Sequence, residues 1–199
     1  MTFALVAAML GCAGCKAPAS RRKDLREAYE TTALAWVEAL GAGDGAGSTL
    51  ETLTDGALFF RTVGEDNKCD GRVSGGGAAF AAWLGCVRAK PDVQAFSSAL
   101  QLYRRIRRED PSKGAEIAQY LPRVVGGADA WSRFVGSAER ARAQAAFDAA
   151  RKEAGGDGAW TTVATSWLST TMVVRLQVVG PVDAPRVHAV LVDVSRTAD

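Results

Sequence analysis

The chain has 199 residues, 48% of them hydrophobic and 23% charged, with 24 basic side chains against 22 acidic ones. That composition is globular, and a net charge of +2 makes no field strong enough to steer the whole molecule to nucleic acid or a membrane. A lone histidine, His188, excludes histidine pairs for acid–base work and His-rich metal sites.

From Met1 to Gly14 no side chain is charged, and Thr2 to Leu10 is almost continuously apolar. A permanent membrane helix takes about 20 such residues. The run fits the apolar core of a secretion signal, typically about 7–15 residues followed by small ones. Gly11-Cys12-Ala13-Gly14-Cys15 then precedes a basic stretch with Lys16, Arg21, Arg22 and Lys23. This segment resembles a bacterial lipoprotein signal, with Met9-Leu10-Gly11 standing before Cys12 as the pattern asks. The resemblance implies a signal peptide over residues 1–11, a lipid on Cys12, and a lipidated tether over residues 12–23. Cys15, preceded by Ala13-Gly14, is the alternative lipidation site. Met1-Thr2-Phe3 lacks the Lys or Arg that the family places near its start. The competing reading is a buried N-terminal helix of a cytoplasmic protein, for which the run offers no helical periodicity.

Residues 24–199 read as a single domain, long enough for a sizeable core. Asp24 to Leu40 is a predicted helix, with Leu25, Tyr29, Thr32, Trp36 and Leu40 on one face. Gly41-Ala42-Gly43 ends it. Ser48-Thr49-Leu50-Glu51 reads as a capping box opening a short second helix. Asp55-Gly56 reads as a turn, and Ala57 to Val63 as a strand. Gly64 to Gly77 reads as a loop. A helix is expected over Ala78–Arg88 with Phe80, Trp83, Leu84 and Val87 inward, and another over Val93–Arg108 with Leu102 and Ile106 on its apolar edge. A short helix is expected over Lys113–Leu121, stopped by Pro122, and a long Ala-rich one from Asp129 to about Glu153.

The C-terminal part changes character. Trp160 to Leu168 reads as a strand. Met172, Val174, Leu176 and Val178 alternate with Val173, Arg175, Gln177 and Val179, the period of a half-buried strand. Val187 to Val194 is a second long strand, expected to pair with it as an antiparallel hairpin. Two cysteines lie in this body, Cys69 and Cys86. In an exported protein an even pair reads as a disulfide. It would close a loop worth about 3 kcal/mol in the chain-entropy model. Two buried thiols or a catalytic cysteine are the alternatives.

A helix ending Trp36-Val37-Glu38-Ala39-Leu40-Gly41-Ala42-Gly43-Asp44, then a short helix, a strand ending near Phe60, a helix with Phe80 and Trp83, and terminal long strands resemble an NTF2-like (SnoaL-like) domain. The likeness covers residues 24–90 and 158–196. It implies an α+β fold in which a curved antiparallel sheet packs on helices as a cystatin-like cone around an apolar pocket. The stretch 92–156 is more helical than that family requires and reads as a helical insertion, a candidate lid over the sheet.

Catalytic chemistry is sparse. His188 would share a strand face with Val190, Val192 and Val194, a rim or packing position; if the chain is an enzyme, it is the first catalytic candidate. Asp193 falls on the opposite face. No metal site is expected, since Cys69, Cys86 and His188 are too few for structural zinc and Asp66-Asn67-Lys68-Cys69-Asp70-Gly71 lacks calcium-loop spacing. No cofactor is expected either. Ser20-Arg21-Arg22-Lys23 and Ser74-Gly75-Gly76-Gly77 echo acyl-transfer and phosphate-loop motifs without their companion elements. Arg104-Arg105-Ile106-Arg107-Arg108 reads as the wet face of its helix, or as a contact to anionic head groups or an acidic partner. A nucleic-acid role lacks interleaved aromatics.

The expectation is therefore an envelope protein, lipid-anchored facing the periplasm or else secreted. It would be a non-enzymatic module binding an envelope partner or a small apolar ligand. An NTF2-like pocket enzyme (an isomerase, cyclase or hydrolase) is the alternative, and a structural part of an envelope complex the third reading.

Overall fold

A computed structural model of the protein describes residues 18–64, 67–74, 76–126, 137–155 and 158–196. The expected signal peptide, both lipidation candidates Cys12 and Cys15, and Asp129 lie outside the described residues. The fold is α+β: a six-stranded sheet with helices on both faces.

Helix α1 (Pro18–Gly41) begins six residues before the expected Asp24, so the tether positions from Pro18 onward are helical. Proline suits a first helical turn, where its missing N–H has no partner to lose. The predicted face is buried, with Tyr29, Thr32, Trp36 and Leu40 joined by Ala33 and Val37. The Trp36 indole donates to Thr54 Oγ1 at 3.0 Å, and that hydroxyl donates to the Leu50 carbonyl at 2.6 Å, so the polar edge of a fully buried ring is satisfied. The last residue of α1, Gly41, packs closely under α4: a Cβ there would sit 2.6 Å from Leu100 and 2.7 Å from Phe96.

After a 3-10 turn at Asp44–Ala46 comes α2 (Gly47–Leu53). The capping box does not form. Ala46 occupies the cap without a side-chain bond, and Glu51 accepts instead from the backbone N–H of Gly77. Strand β1 (Thr54–Val63) absorbs Asp55-Gly56, and β2 (Gly71–Ser74) forms inside the expected loop. Asp70 closes the β1–β2 connection by accepting from both the N–H and the hydroxyl of Thr62.

Helix α3 (Ala78–Arg88) buries the four predicted residues. Helix α4 (Pro91–Glu109) buries Val93, Phe96 and Leu100, whereas Leu102 is 49% exposed, so the inward edge lies one step away from the expected one. A 3-10 turn (Pro111–Lys113), α5 (Gly114–Ala118) and β3 (Arg123–Val124) follow. Helix α6 (Ser137–Ala154) precedes β4 (Ala159–Trp167), β5 (Thr170–Val179) and β6 (Arg186–Arg196).

The strand order is β2-β1-β6-β5-β4-β3. The β5–β6 hairpin pairs antiparallel as expected, but β1 and β6 run parallel, so the sheet is mixed rather than wholly antiparallel. Alternation fixes which face a residue takes, not the direction of its neighbour. On one face, α1, α3 and α4 cover Leu58, Phe60, Val174, Leu176, Val190 and Val192. On the other, α6 lays Ala150 and Ala154 on Phe59, Ala189 and Leu191. That second layer explains why β5 is buried on both faces rather than half-buried. The stretch 92–156 thus supplies a core helix, the edge strand β3 paired to β4, and the covering helix α6.

Candidate functional site

His188 does not share a face with Val190. The β5–β6 register slips between Gln177 and Val178, opposite Ala189 and Val187, which leaves His188 as the extra residue of a β-bulge. Its imidazole sits at the rim, with Nδ1 2.6 Å from Asp55 Oδ2 and Nε2 3.4 Å from the carbonyl oxygen of Ala154. Both ring nitrogens therefore face protein acceptors. Asp55 was invisible as a partner because Asp-Gly reads as a turn. Asp193, expected on the face opposite His188, lies on the α6 side of the sheet, the side toward which the bulge also turns His188.

The same rim fastens the end of α6. Arg61 pairs with Glu153 through two parallel bonds of 2.8 and 2.9 Å, and Arg72 donates to the carbonyls of Glu153 and Ala154. Cations at a helix C-terminus complement its dipole and its unsatisfied carbonyls. Both guanidinium groups also lie over the Phe59 ring. This cluster reads as a clasp for α6, with every group in it committed to another.

Cys69 and Cys86 form a disulfide, with Cα atoms 5.8 Å apart, tying the β1–β2 connection to α3. Among the described residues no group of three or more His, Cys, Asp or Glu could hold a metal ion. In the arginine cluster of α4, Arg104 pairs with Glu38 at 3.1 Å and its neighbours are exposed. No helix among the described residues is long and apolar enough to cross a membrane.

The side of the sheet that faces α1, α3 and α4 is filled. Trp36, Phe60, Phe96, Met172, Val174 and Leu176 are each essentially inaccessible, and Trp83 packs edge-on to Phe60 with centroids 5.3 Å apart. A cavity of about 590 Å³ lies elsewhere, between the first turns of α1, the middle of α6 and the start of β4. Leu25, Tyr29, Phe147 and Trp160 give it apolar walls, Arg175 reaches it from β5, and Arg22 stands on its α1 side.

Each wall has a local cause. Tyr29 is fixed by donating its hydroxyl to the Gly180 carbonyl at 2.7 Å. Phe147 and Trp160 meet edge to face, 5.1 Å between centroids. The Arg175 guanidinium lies 4.1 Å from the centre of the Phe147 ring and is only 6% exposed. Burial pushes its pKa down to about 10, against the opposing pull of Asp193 and Asp148, so it remains a cation at neutral pH. Arg175 is legible only as a polar residue on the outer side of a valine-rich strand; that Phe147 of α6 covers it is not. A second cavity of about 510 Å³, lined by Arg88, Ser97, Gln101 and neighbours, lies beside the end of α1.

The chain matches no protein-family model, no curated protein and no solved structure.

Proposed function

We propose that the protein is an exported envelope module, lipid-anchored through Cys12 with Cys15 as the alternative, that binds a partner or a small ligand and performs no catalysis. The observation that carries this reading is the filled side of the sheet beneath α1, α3 and α4. In an NTF2-like pocket enzyme that face lines the reaction cavity, and here Trp36, Phe60, Phe96 and Met172 occupy it. His188, the one imidazole, is turned into the α6 clasp. The layout of two helices, two strands, a helix and three long terminal strands supports an NTF2-like ancestry, with the pocket closed by core packing. The disulfide supports maturation in an oxidising compartment, and the apolar leader supports export. The exposed Arg105, Arg107 and Arg108 of α4 are then placed to lie against anionic head groups or an acidic partner.

The anchor is tested in bacteria fed labelled palmitate, with and without globomycin. Label that depends on Cys12 and a precursor that accumulates under the inhibitor are expected. Unchanged processing with no label on either cysteine contradicts the anchor.

A further inference from the structure

We propose that the first turns of α1 dock end-on against an anionic phospholipid surface through Arg21, Arg22 and Lys23. The inference deepens the envelope reading above and rests on its anchor at Cys12. It assigns the head groups to this end of the molecule and leaves the α4 arginines for an acidic partner.

Three consecutive cations, all exposed, stand at the start of α1, and its first turn holds no acid. They do not stabilise the helix. Its N-terminus carries the positive end of the backbone dipole, so cations there are unfavourable. Nor do they pack: from Ala19 to Ala28 no side chain of α1 is buried, and Tyr29 is the first that is. The acids of this stretch come after the cations. Asp24 follows Lys23, Glu27 lies a turn further on, and Glu30 is held by Arg26 at 2.7 Å. Charge is thus polarised along α1, with the cations leading. Around the cavity beside Arg22, that paired Glu30 is the one acid among the lining residues.

The chain before α1 sets where this end sits. Pro18, where α1 begins, is six residues beyond Cys12, and a fully extended chain of that length spans about 20 Å. A lipid on Cys12 therefore keeps the first turns of α1 beside the head groups. There each basic residue strengthens attraction to an anionic surface about fivefold, and an acyl anchor and a basic patch reinforce each other. The α4 cluster is placed otherwise. Arg104 pairs with Glu38 at 3.1 Å, and Glu38 lies about 25 Å along α1 from Arg21 at a rise of about 1.5 Å per residue. A surface met end-on by α1 leaves that cluster beyond the Debye length of about 8 Å at physiological ionic strength, so its charges are screened from the lipid.

The test uses the mature chain carrying Cys12→Ser and Cys15→Ser, so that no acyl group contributes, with the Cys69–Cys86 bond intact. It is sedimented with vesicles of pure phosphatidylcholine and of a phosphatidylcholine–phosphatidylglycerol mixture. Binding to the anionic vesicles alone is expected, falling steeply with added salt. Arg21→Gln, Arg22→Gln and Lys23→Gln together should weaken it about a hundredfold. Arg21→Lys with Arg22→Lys should retain it, since a head-group surface asks only for charge. Removing three charges from α4 instead, as Arg105→Gln, Arg107→Gln and Arg108→Gln, should change it less than about threefold. All six positions are exposed, and the α1 triple variant should keep or raise the thermal midpoint because it relieves the helix terminus. Equal losses from the two triple variants, a loss from the α4 variant alone, equal binding to neutral and anionic vesicles, or no binding to either overturns the proposal. The anchor is judged separately by the palmitate experiment, since no acyl group takes part here.

Discussion

The carboxylate of Asp55 lies 2.6 Å from Nδ1 of His188, although 133 residues separate them in the chain. The contact spans the parallel β1–β6 seam where both strands are irregular, β1 between Thr54 and Phe59 and β6 at the bulge. Two local distortions thus meet and are bridged by one polar pair. Since both groups are partly accessible, the bridge contributes modestly. His188→Ala and Asp55→Ala are each expected to lower stability by about 1 kcal/mol, with the double variant little worse than either. Urea unfolding of the four proteins measures this. Full additivity would mean that the pair does not couple.

Arg175 offers a sharper energetic test. Its folded pKa of about 10 lies well below the usual guanidinium range. Between the two the folded chain binds fewer protons than the unfolded one, so this group's contribution rises with pH there; at neutral pH its burial is a constant cost. Arg175→Met relieves that cost but leaves the Asp193 carboxylate buried beside a thioether. A net loss of about 3 kcal/mol is expected, and Arg175→Met with Asp193→Leu should recover most of it. Thermal denaturation reads the comparison. A double variant as weak as the single one would contradict the charge-pair account.

Leu168 turns the β4–β5 hairpin with φ of 49° and is 95% exposed. A branched side chain in the left-handed region costs about 1 kcal/mol, and here no packing offsets it. Two-residue hairpin turns favour Asn or Gly at such positions. Leu168→Asn is expected to stabilise the fold by about 1 kcal/mol, read as a raised urea midpoint at unchanged slope. A lowered midpoint would show that the exposed leucine has a partner within the chain.

Tyr103 and Tyr120 stack with centroids 5.3 Å apart. Burial, with Tyr120 adding to it, holds the Tyr103 phenol above its ordinary value of 10.0. The folded state therefore keeps this proton over a window in which the unfolded chain has lost it, and the associated stability falls as pH rises through that window. Tyr103→Phe should flatten the alkaline decline in stability, and ultraviolet titration of the wild type should show one late-ionising tyrosine. An unchanged alkaline slope in the variant would remove Tyr103 as its source.

What the sequence made legible follows from period and punctuation. The faces of α1 and α3, and the β5–β6 hairpin, were readable because their apolar spacing is long and regular. The Cys69–Cys86 link was readable from cysteine count and context. Three things were not. The parallel β1–β6 seam depends on a pairing between chain ends that alternation does not encode. The bulge at His188 inverts a face by inserting one residue, and no turn residue marks it. The burial of Arg175 depends on Phe147 of α6, an Ala-rich helix whose spacing does not reveal the sheet beneath it. Of the cavity's walls, Leu25 and Tyr29 belong to the α1 face that the spacing marks, whereas the meeting of Phe147, Trp160 and Arg175 depends on how α6 lies on the sheet.

The most direct test of the account is the intact mass of the native protein taken from the membrane fraction, measured before and after reduction. The account predicts a chain beginning at Cys12, heavier than its polypeptide by acyl groups, and gaining the mass of two hydrogens when the Cys69–Cys86 bond opens. A chain that still begins at Met1, with all its cysteines alkylating without reductant, would contradict it.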